Sequence, residues 1–401
     1  YYHTYAEVHD QWRWAWWPLR MPYGPANLPL FEVAAWLSNW AVPASWVTAV
    51  QQVHPMAGAW LGALNALLPL YFLKAVNLGL HLAGLWLLYG IVPPHPMYRQ
   101  RLFLYAVNPL LLFELVSNGH QDALVVFFTC ASLAALRSGS PLTAFAASLA
   151  ATLSKLLAIS LPVGLLLYFL RRGQYRTLLL SIAMGLATFI LVRLCWFDSI
   201  ADMKVLTPWF SPFGTTAAIL YIPGAVENTI AMREIKMLFW YGVWPATAIY
   251  CGWVLLQARR WSDFVAGQLV TWAALLVVLS TYTRVWYVTC LLPLGVLLPA
   301  GLFEYTLLCT FCCPVRNYYE MYWTAGVVLV LVAALLLCWS SRADAGPRRR
   351  LALGLAAFEG VLYLLMSSYW LPNNLTWGIG AHLVPLAWLI GTDRLRRRRP
   401  W

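Results

Sequence analysis

Residues 177–196 read TLLLSIAMGLATFILVRLCW, an apolar run with Arg193 as its only charged side chain. A helix of about 20 such residues crosses the roughly 30 Å hydrocarbon core of a bilayer. Similar runs recur along the chain, whose 401 residues are 61% hydrophobic and only 10% charged. Soluble domains carry about 25% charged residues, so this composition cannot cover a water-facing surface. We therefore predict an all-α integral membrane protein that crosses the bilayer many times.

Arginine clusters between the apolar runs give the predicted orientation, because basic residues are enriched in cytoplasmic loops. The clusters are Arg99 with Arg101, Arg137, Arg171 with Arg172 and Arg176, Arg259 with Arg260, Arg348 to Arg350, and Arg396 to Arg399. This bias predicts a multi-pass protein of the inner or plasma membrane with a cytoplasmic C-terminus. The predicted spans are 75–93, 102–118, 121–137, 177–196, 238–257, 264–283, 286–303, 320–341, 351–370 and 376–391.

The segment 141–170 lies between two cytoplasmic Arg clusters and is too short for two spans of about 20 residues. It is therefore predicted to form a hairpin of short helices, with Lys155 near its outer tip. Residues 1–27 and 197–237 are predicted to be the two large outer loops of a single membrane domain over residues 1–401. Because the chain opens at Tyr1 with a polar, aromatic stretch, we expect a first helix upstream of it.

Charge and cysteine usage exclude other classes. The formal net charge of +12 comes from short clusters between apolar runs rather than from one basic face, so nucleic-acid binding is not indicated. The eight Cys residues lie in or beside apolar runs without zinc-type CxxC pairs. The sequence thus predicts no metal site, no cofactor and no disulfide framework.

The densest polar run outside the terminal loops lies where the predicted span 102–118 turns into 121–137. Its members are Glu114, Ser117, Asn118, Gly119, His120, Gln121 and Asp122. A carboxylate beside an imidazole can remove a proton or bind a metal. The alternative interpretation is that Asp122 and Asn118 cap helix ends.

Two cations are predicted at the same outer face. Lys155 can hold a lipid phosphate as a point charge, or its ammonium can reach the headgroups along an apolar stem. Arg284, beside the aromatic Tyr287, can clamp a phosphate through two parallel hydrogen bonds, or it can act as an interfacial anchor.

The opening segment combines ionisable and aromatic side chains. Its polar members, which precede a run of Trp residues, include Tyr5, Glu7, His9 and Asp10. Carboxylates and His next to aromatic rings suit a sugar-binding surface, since ring faces pack on the apolar faces of sugars. An aromatic belt with solvated charges is the alternative.

Taken in order, these segments resemble the GT-C superfamily of integral membrane glycosyltransferases, particularly bacterial polyprenyl-phosphate-mannose-dependent mannosyltransferases. The likeness covers most of residues 1–300. The residues that carry it are Tyr2, Tyr5 and Tyr23 Gly24 Pro25; Asn108 Pro109 Leu110; Glu114 Leu115; Asn118 to Asp122; Leu153 Ser154 Lys155; Leu161 Pro162; Arg171 Arg172; Trp286 Tyr287; and Leu291 to Leu294.

The resemblance implies a GT-C-type bundle of about 10 to 12 membrane helices, short hairpins included. It further implies transfer of mannose or a similar hexose from a polyprenyl-phosphate donor to a lipid, glycan or protein acceptor at the outer face. A carboxylate would take the acceptor proton while cations stabilise the departing phosphate. The candidate bases are Asp122, Asp10 and Glu7, beside an Asp expected upstream of residue 1. The candidate substrate-binding residues are His120, Asn118, Lys155, Arg284, Tyr287, Tyr5 and His9.

Two other classes compete with the enzyme. The first is a catalytically inactive accessory subunit that keeps the fold and works with partners in a membrane complex. The second is a secondary transporter, which is disfavoured because paired helices broken by Gly or Pro are not apparent in two halves of the chain.

Overall fold

The computed structural model describes residues 25–117, 120–196, 241–242, 244–275, 288–299, 302–307, 309–310 and 387–388. Within these ranges the regular elements are all helical, and no strand occurs among them. The α-helices are α1 (Leu28–Ala41), α2 (Ala44–Val53), α3 (Pro55–Ile91), α4 (Pro96–Ala106), α5 (Asp122–Arg137), α6 (Pro141–Ser154), α7 (Ser160–Arg171), α8 (Tyr175–Trp196), α9 (Trp244–Leu256), α10 (Trp261–Ala274) and α11 (Leu291–Val296). Leu111–Ser117 forms a π-helical segment, and Pro25–Asn27 and Leu156–Ile159 form 3₁₀ turns.

Two of the described helices are long and apolar enough to cross a membrane. They are α3, with a mean hydropathy of 1.5, and α8, with a mean hydropathy of 2.2. The π-helical segment and α5 meet at a bend of 116° and count as a third span if the bent pair crosses as one. By length and composition, the described residues therefore indicate association with a membrane.

The long helices agree with the predicted spans at one position and differ at another. Helix α8 covers the predicted span 177–196 almost residue for residue. Helix α3 contains most of the predicted span 75–93 but begins at Pro55, well before it. The predicted span begins just after Lys74, whereas Lys74 lies inside α3 with its ammonium 5.7 Å from the centre of the Tyr71 ring. A long aliphatic stem and a nearby aromatic face let a lone Lys stay within an apolar helix.

The predicted span 102–118 is interrupted instead of continuous. Helix α4 ends at Ala106, and the Asn108 side-chain oxygen accepts hydrogen bonds from the backbone N–H groups of Leu110 (3.0 Å) and Leu111 (3.2 Å). Pro109 has no N–H to continue a helix. The side chain of Asn108 thus caps a new helical turn rather than extending the old one.

The chain divides into two compact units, which we describe separately. Unit 1 comprises Tyr1–Leu87, Leu112–Pro162 and Arg176–Pro208, and unit 2 comprises Leu88–Leu111, Val163–Tyr175 and Trp209–Trp401. In unit 2 the ring of Tyr168 lies 5.3 Å from that of Phe264. Arg101, predicted to lie in a cytoplasmic loop, is buried there, where its guanidinium donates to the carbonyl of Leu298.

Unit 1 is built around a helical hairpin of α5 and α6. Three residues join the helices, and Gly139 in the turn has φ of +79°, a conformation that favours glycine. The N–H of Gly139 bonds to the carbonyl of Leu136, and the N–H of Ser140 bonds to that of Ala135. These two bonds form a Schellman motif, which closes the C-terminus of α5. The hydroxyl of Ser132 donates to the carbonyl of Ala144 at 2.8 Å and links the two helices near the turn.

Candidate functional site

The open end of the hairpin carries a buried ion pair. The Lys155 ammonium donates to both carboxylate oxygens of Asp122, at 2.8 Å and 3.0 Å. The Asp122 side chain is 0% exposed and that of Lys155 is 5% exposed. An ionisable residue inside an apolar helical protein is expensive and usually marks function or a paired charge.

The lengths of the two helices explain why these residues meet. Asp122 begins α5, which has 16 residues, and Lys155 directly follows α6, which has 14 residues. At about 1.5 Å per residue the helices are about 24 Å and 21 Å long, so the start of one lies beside the end of the other. Both are shorter than the roughly 30 Å hydrocarbon core. Asp122 and Lys155, which the sequence predicts at one membrane face, are in direct contact in the structure.

The backbone at Lys155 leaves the helical conformation. With φ of −159° and ψ of 127°, the residue is extended and separates α6 from the 3₁₀ turn Leu156–Ile159. Helix α7 follows from Ser160, and Pro162 lies in its first turn, where a missing N–H is tolerated. The sequence prediction of two short helices with a break at Lys155 agrees with this structure. The alternative in which Lys155 extends to the headgroups is wrong, since its side chain is buried and paired.

The capping role considered for Asp122 is also not what the structure shows. The N-cap of α5 is Gln121, which makes no side-chain capping hydrogen bond. Asp122 is the first helical residue, where a negative charge is favoured by the positive end of the helix dipole. Its carboxylate oxygens accept from Lys155 across the hairpin instead.

A second acid and a histidine lie in the turn that precedes α5. The Nε2 atom of His120 lies 3.3 Å from a carboxylate oxygen of Glu114, and the His120 backbone N–H donates to the Glu114 carbonyl at 3.1 Å. Glu114 is 0% exposed, whereas His120 is 23% exposed. Glu114 is on the π-helical segment, a geometry often found at functional sites. Sequence reasoning noted Glu114 in the polar run but did not select it as a site residue.

Two asparagine side chains, which the sequence interpretation missed, donate to backbone carbonyls at two helix interruptions. The first interruption lies between the π-helical segment and α5, and the second lies at Lys155 between α6 and α7. The amide nitrogen of Asn77, on α3, donates to the carbonyls of Leu115 (2.7 Å) and His120 (3.1 Å). The amide nitrogen of Asn27 donates to the carbonyl of Ser154 at 2.9 Å. The signal that could have found Asn77 is its isolation within an apolar helix, where a polar side chain must find a partner.

The remaining candidate residues lie outside the described residues. They are Tyr5, Glu7, His9, Asp10, Asn118, Arg284 and Tyr287. The structure therefore joins Asp122 to Lys155 and His120 to Glu114, and the predicted convergence with the first loop and Arg284 stays a prediction. The described ranges contain no group of three or more His, Cys, Asp or Glu side chains that could hold a metal ion.

The arrangement can supply a carboxylate and a cation at one point inside an apolar unit. A carboxylate offers about four lone-pair sites on its two oxygens, and the Lys155 ammonium takes one on each oxygen. Lone-pair sites thus remain on the carboxylate for a hydroxyl donor, which must move neighbouring side chains to reach them because Asp122 is fully buried. A low-dielectric setting strengthens the interaction of such fixed charges with a charged ligand.

Comparison of the chain with protein-family models, with curated proteins and with solved structures gave no match.

Proposed function

We propose that this chain is a multi-pass membrane glycosyltransferase of the GT-C type, which moves mannose or a similar hexose from a polyprenyl-phosphate donor to an acceptor hydroxyl. The observation that supports the proposal best is the buried Asp122–Lys155 pair at the open end of the α5–α6 hairpin, whose helices have 16 and 14 residues. Such a placement brings a base and a cation to one membrane depth, where a lipid-linked donor would present its phosphate.

The proposed reaction is a direct displacement at the sugar C1 atom. Asp122 accepts the proton of the acceptor hydroxyl while the new bond forms between that oxygen and C1. The bond from C1 to the phosphate oxygen breaks, and the leaving polyprenyl phosphate takes its electron pair. Lys155 stabilises the charge that develops on this phosphate, and His120, the partly exposed member of its pair, contacts the sugar or phosphate.

One observation favours the alternative of an inactive accessory subunit. Both oxygens of Asp122 already accept from Lys155, so the pair is satisfied without a substrate. A buried salt bridge of this kind can specify helix packing without any role in catalysis. The enzyme should transfer sugar from the donor, whereas the accessory subunit should show no turnover.

The test uses the full chain in lipid nanodiscs supplied with radiolabelled polyprenyl-phosphate-mannose and with a membrane extract that contains lipid, glycan and protein acceptors. Loss of label from the donor and its appearance in lipid, glycan or protein fractions measure transfer. Asp122→Asn should lower turnover by about 100-fold or more, the range typical of a lost general base. Lys155→Met should lower it as well, because the leaving phosphate loses a cation.

Asp263→Asn is the matched control, since it makes the same chemical change at an exposed acid in the first turn of α10. It should leave turnover unchanged. Full activity in Asp122→Asn would return the base role to Asp10, Glu7 or an upstream Asp. If the wild-type chain binds the donor but shows no turnover, the proposal of an enzyme is overturned in favour of the accessory subunit.

A further inference from the structure

We infer that Asn77 and Asn27 are positioning residues, which hold the two interrupted helices so that Asp122 and Lys155 meet. The geometric part of this inference stands on contacts within unit 1 alone. Its effect on sugar transfer rests on the proposed function.

Asn77 fixes the turn that leads into α5. Its amide nitrogen has two N–H donors, and they go to two carbonyls on either side of the turn, those of Leu115 and His120. Because both partners are acceptors, the nitrogen rather than the oxygen of the amide must face the turn. Asn77 is fully buried, so water cannot replace these hydrogen bonds. The turn is thereby tied to α3 two residues before Asp122.

Asn27 fixes the interruption that carries Lys155. Ser154 ends α6, and a carbonyl in the last turn of a helix has no partner within the helix. The Asn27 amide supplies that partner at 2.9 Å, from the fully buried end of the 3₁₀ turn Pro25–Asn27. Lys155 is the next residue in the chain, so this bond sets where its backbone leaves the helix.

The two contacts have the same form. In each, an asparagine from the N-terminal part of unit 1 donates to backbone carbonyls at an interruption beside one member of the ion pair. A buried carbonyl without a partner is costly, especially where lipid replaces water. Loss of the Asn77 amide should therefore let the turn before Asp122 open, and loss of the Asn27 amide should do the same at Lys155. Either opening should separate Asp122 from Lys155.

Reactivity of the Lys155 amine measures this opening. In the wild-type chain in nanodiscs, the buried pair should protect Lys155 from reductive methylation, which mass spectrometry reads at each Lys. Asn27→Leu should raise methylation of Lys155 by about fivefold, and Asn77→Leu by about tenfold, because a net hydrogen bond shifts an opening equilibrium by roughly such factors. If Asn77→Leu does not fold, Asn77→Ser keeps one hydroxyl donor and should give a smaller rise.

Asn65 provides the matched control on the same helix. Its side-chain amide also donates to a backbone carbonyl, that of Val42, at the junction between α1 and α2 and away from both interruptions. Asn65→Leu should leave Lys155 protected. Equal protection in all variants, or an equal rise in Asn65→Leu, would overturn the inference.

Transfer kinetics supply the second readout. Asn77→Leu should lower kcat while the KM for the mannosyl donor stays near its wild-type value, whereas Asn65→Leu should change neither. A wild-type chain without transfer activity would defeat the proposed function and leave the methylation result to decide the role of the two asparagines.

Discussion

The starts of α5 and α10 contain the same type of residue in different surroundings. Asp122 is the first residue of α5 and is buried, with both carboxylate oxygens bonded to the ammonium of Lys155. Asp263 lies in the first turn of α10 and is exposed, and its carboxylate accepts from the backbone N–H groups of Arg260 at 2.9 Å and Arg259 at 3.3 Å. Asp122 thus pairs with a residue that follows a different helix, whereas Asp263 accepts hydrogen bonds at the N-terminus of its own helix.

The difference shows that burial decides which partner a carboxylate near a helix N-terminus takes. Both acids gain from the positive end of the helix dipole. An exposed acid can turn back to the unpaired backbone N–H groups at the entry to its helix, as Asp263 does to Arg259 and Arg260. A buried acid needs a full counter-charge, because the cost of removing it from water exceeds what backbone N–H groups restore. Four experiments test this contrast.

Asp122→Ala should have the largest effect. It leaves the Lys155 ammonium buried without its carboxylate, and breaking a buried pair in this way costs about 3–5 kcal/mol of unfolding free energy. Unfolding by SDS titration in mixed micelles, followed by tryptophan fluorescence, measures the loss. A cost below about 1 kcal/mol would mean that Lys155 finds water or another acid, as at an exposed site.

Replacement of both partners should cost less than removal of one. In a double-mutant cycle of Asp122→Leu and Lys155→Met, we expect a coupling free energy of about 1–3 kcal/mol, because apolar side chains of similar size refill the site without a buried charge. The double variant should also lack the sugar transfer that we propose. Additive effects on unfolding would show that the two side chains do not stabilise each other.

Much of the fold follows from the sequence, and the exceptions have physical reasons. The apolar run 177–196 predicted α8, and the span 121–137 with Arg137 at its end predicted where α5 stops. Hydropathy placed the start of the span 75–93 too late, just after Lys74, because a single charge with an aliphatic stem does not end a helix. It also missed the interruption at Asn108, where a side-chain cap competes with an apolar pattern that continues on both sides.

The candidate site was predictable in part. The predicted order of inward and outward spans placed Asp122 and Lys155 at one membrane face, and in the structure their side chains are in contact. The pairing of His120 with Glu114 was not predicted, because Glu114 lies on the π-helical segment and His120 lies beyond its end, so no regular helical period relates them. The contacts of Asn77 and Asn27 could not be predicted, since each depends on a backbone carbonyl that only the folded chain presents.

Asp263→Ala should have a smaller effect than Asp122→Ala. Loss of a side chain that caps a helix costs about 1 kcal/mol. The backbone N–H groups of Arg259 and Arg260, which Asp263 accepts from, are exposed and turn to water. The same SDS titration measures it. A loss as large as that of Asp122→Ala would show that exposure does not separate the two acids, and the contrast between α5 and α10 would fail.

Asp263→Asn should have the smallest effect, below about 0.5 kcal/mol, because an asparagine oxygen can accept the Arg260 N–H much as the carboxylate does. Only the favourable interaction of the negative charge with the helix dipole is lost, and solvent screens that term. The same substitution at Asp122 keeps an acceptor beside Lys155 but removes the counter-charge, so it should cost several times more. Measurement of the two Asp→Asn variants side by side, at low and high salt, separates charge from hydrogen bonding. Added salt should reduce the small effect at Asp263 and leave the large effect at Asp122 unchanged, since ions do not reach a buried pair. Similar losses at both positions, with the same dependence on salt, would show that Asp122 is accessible to solvent ions and that its pairing with Lys155 is a surface interaction.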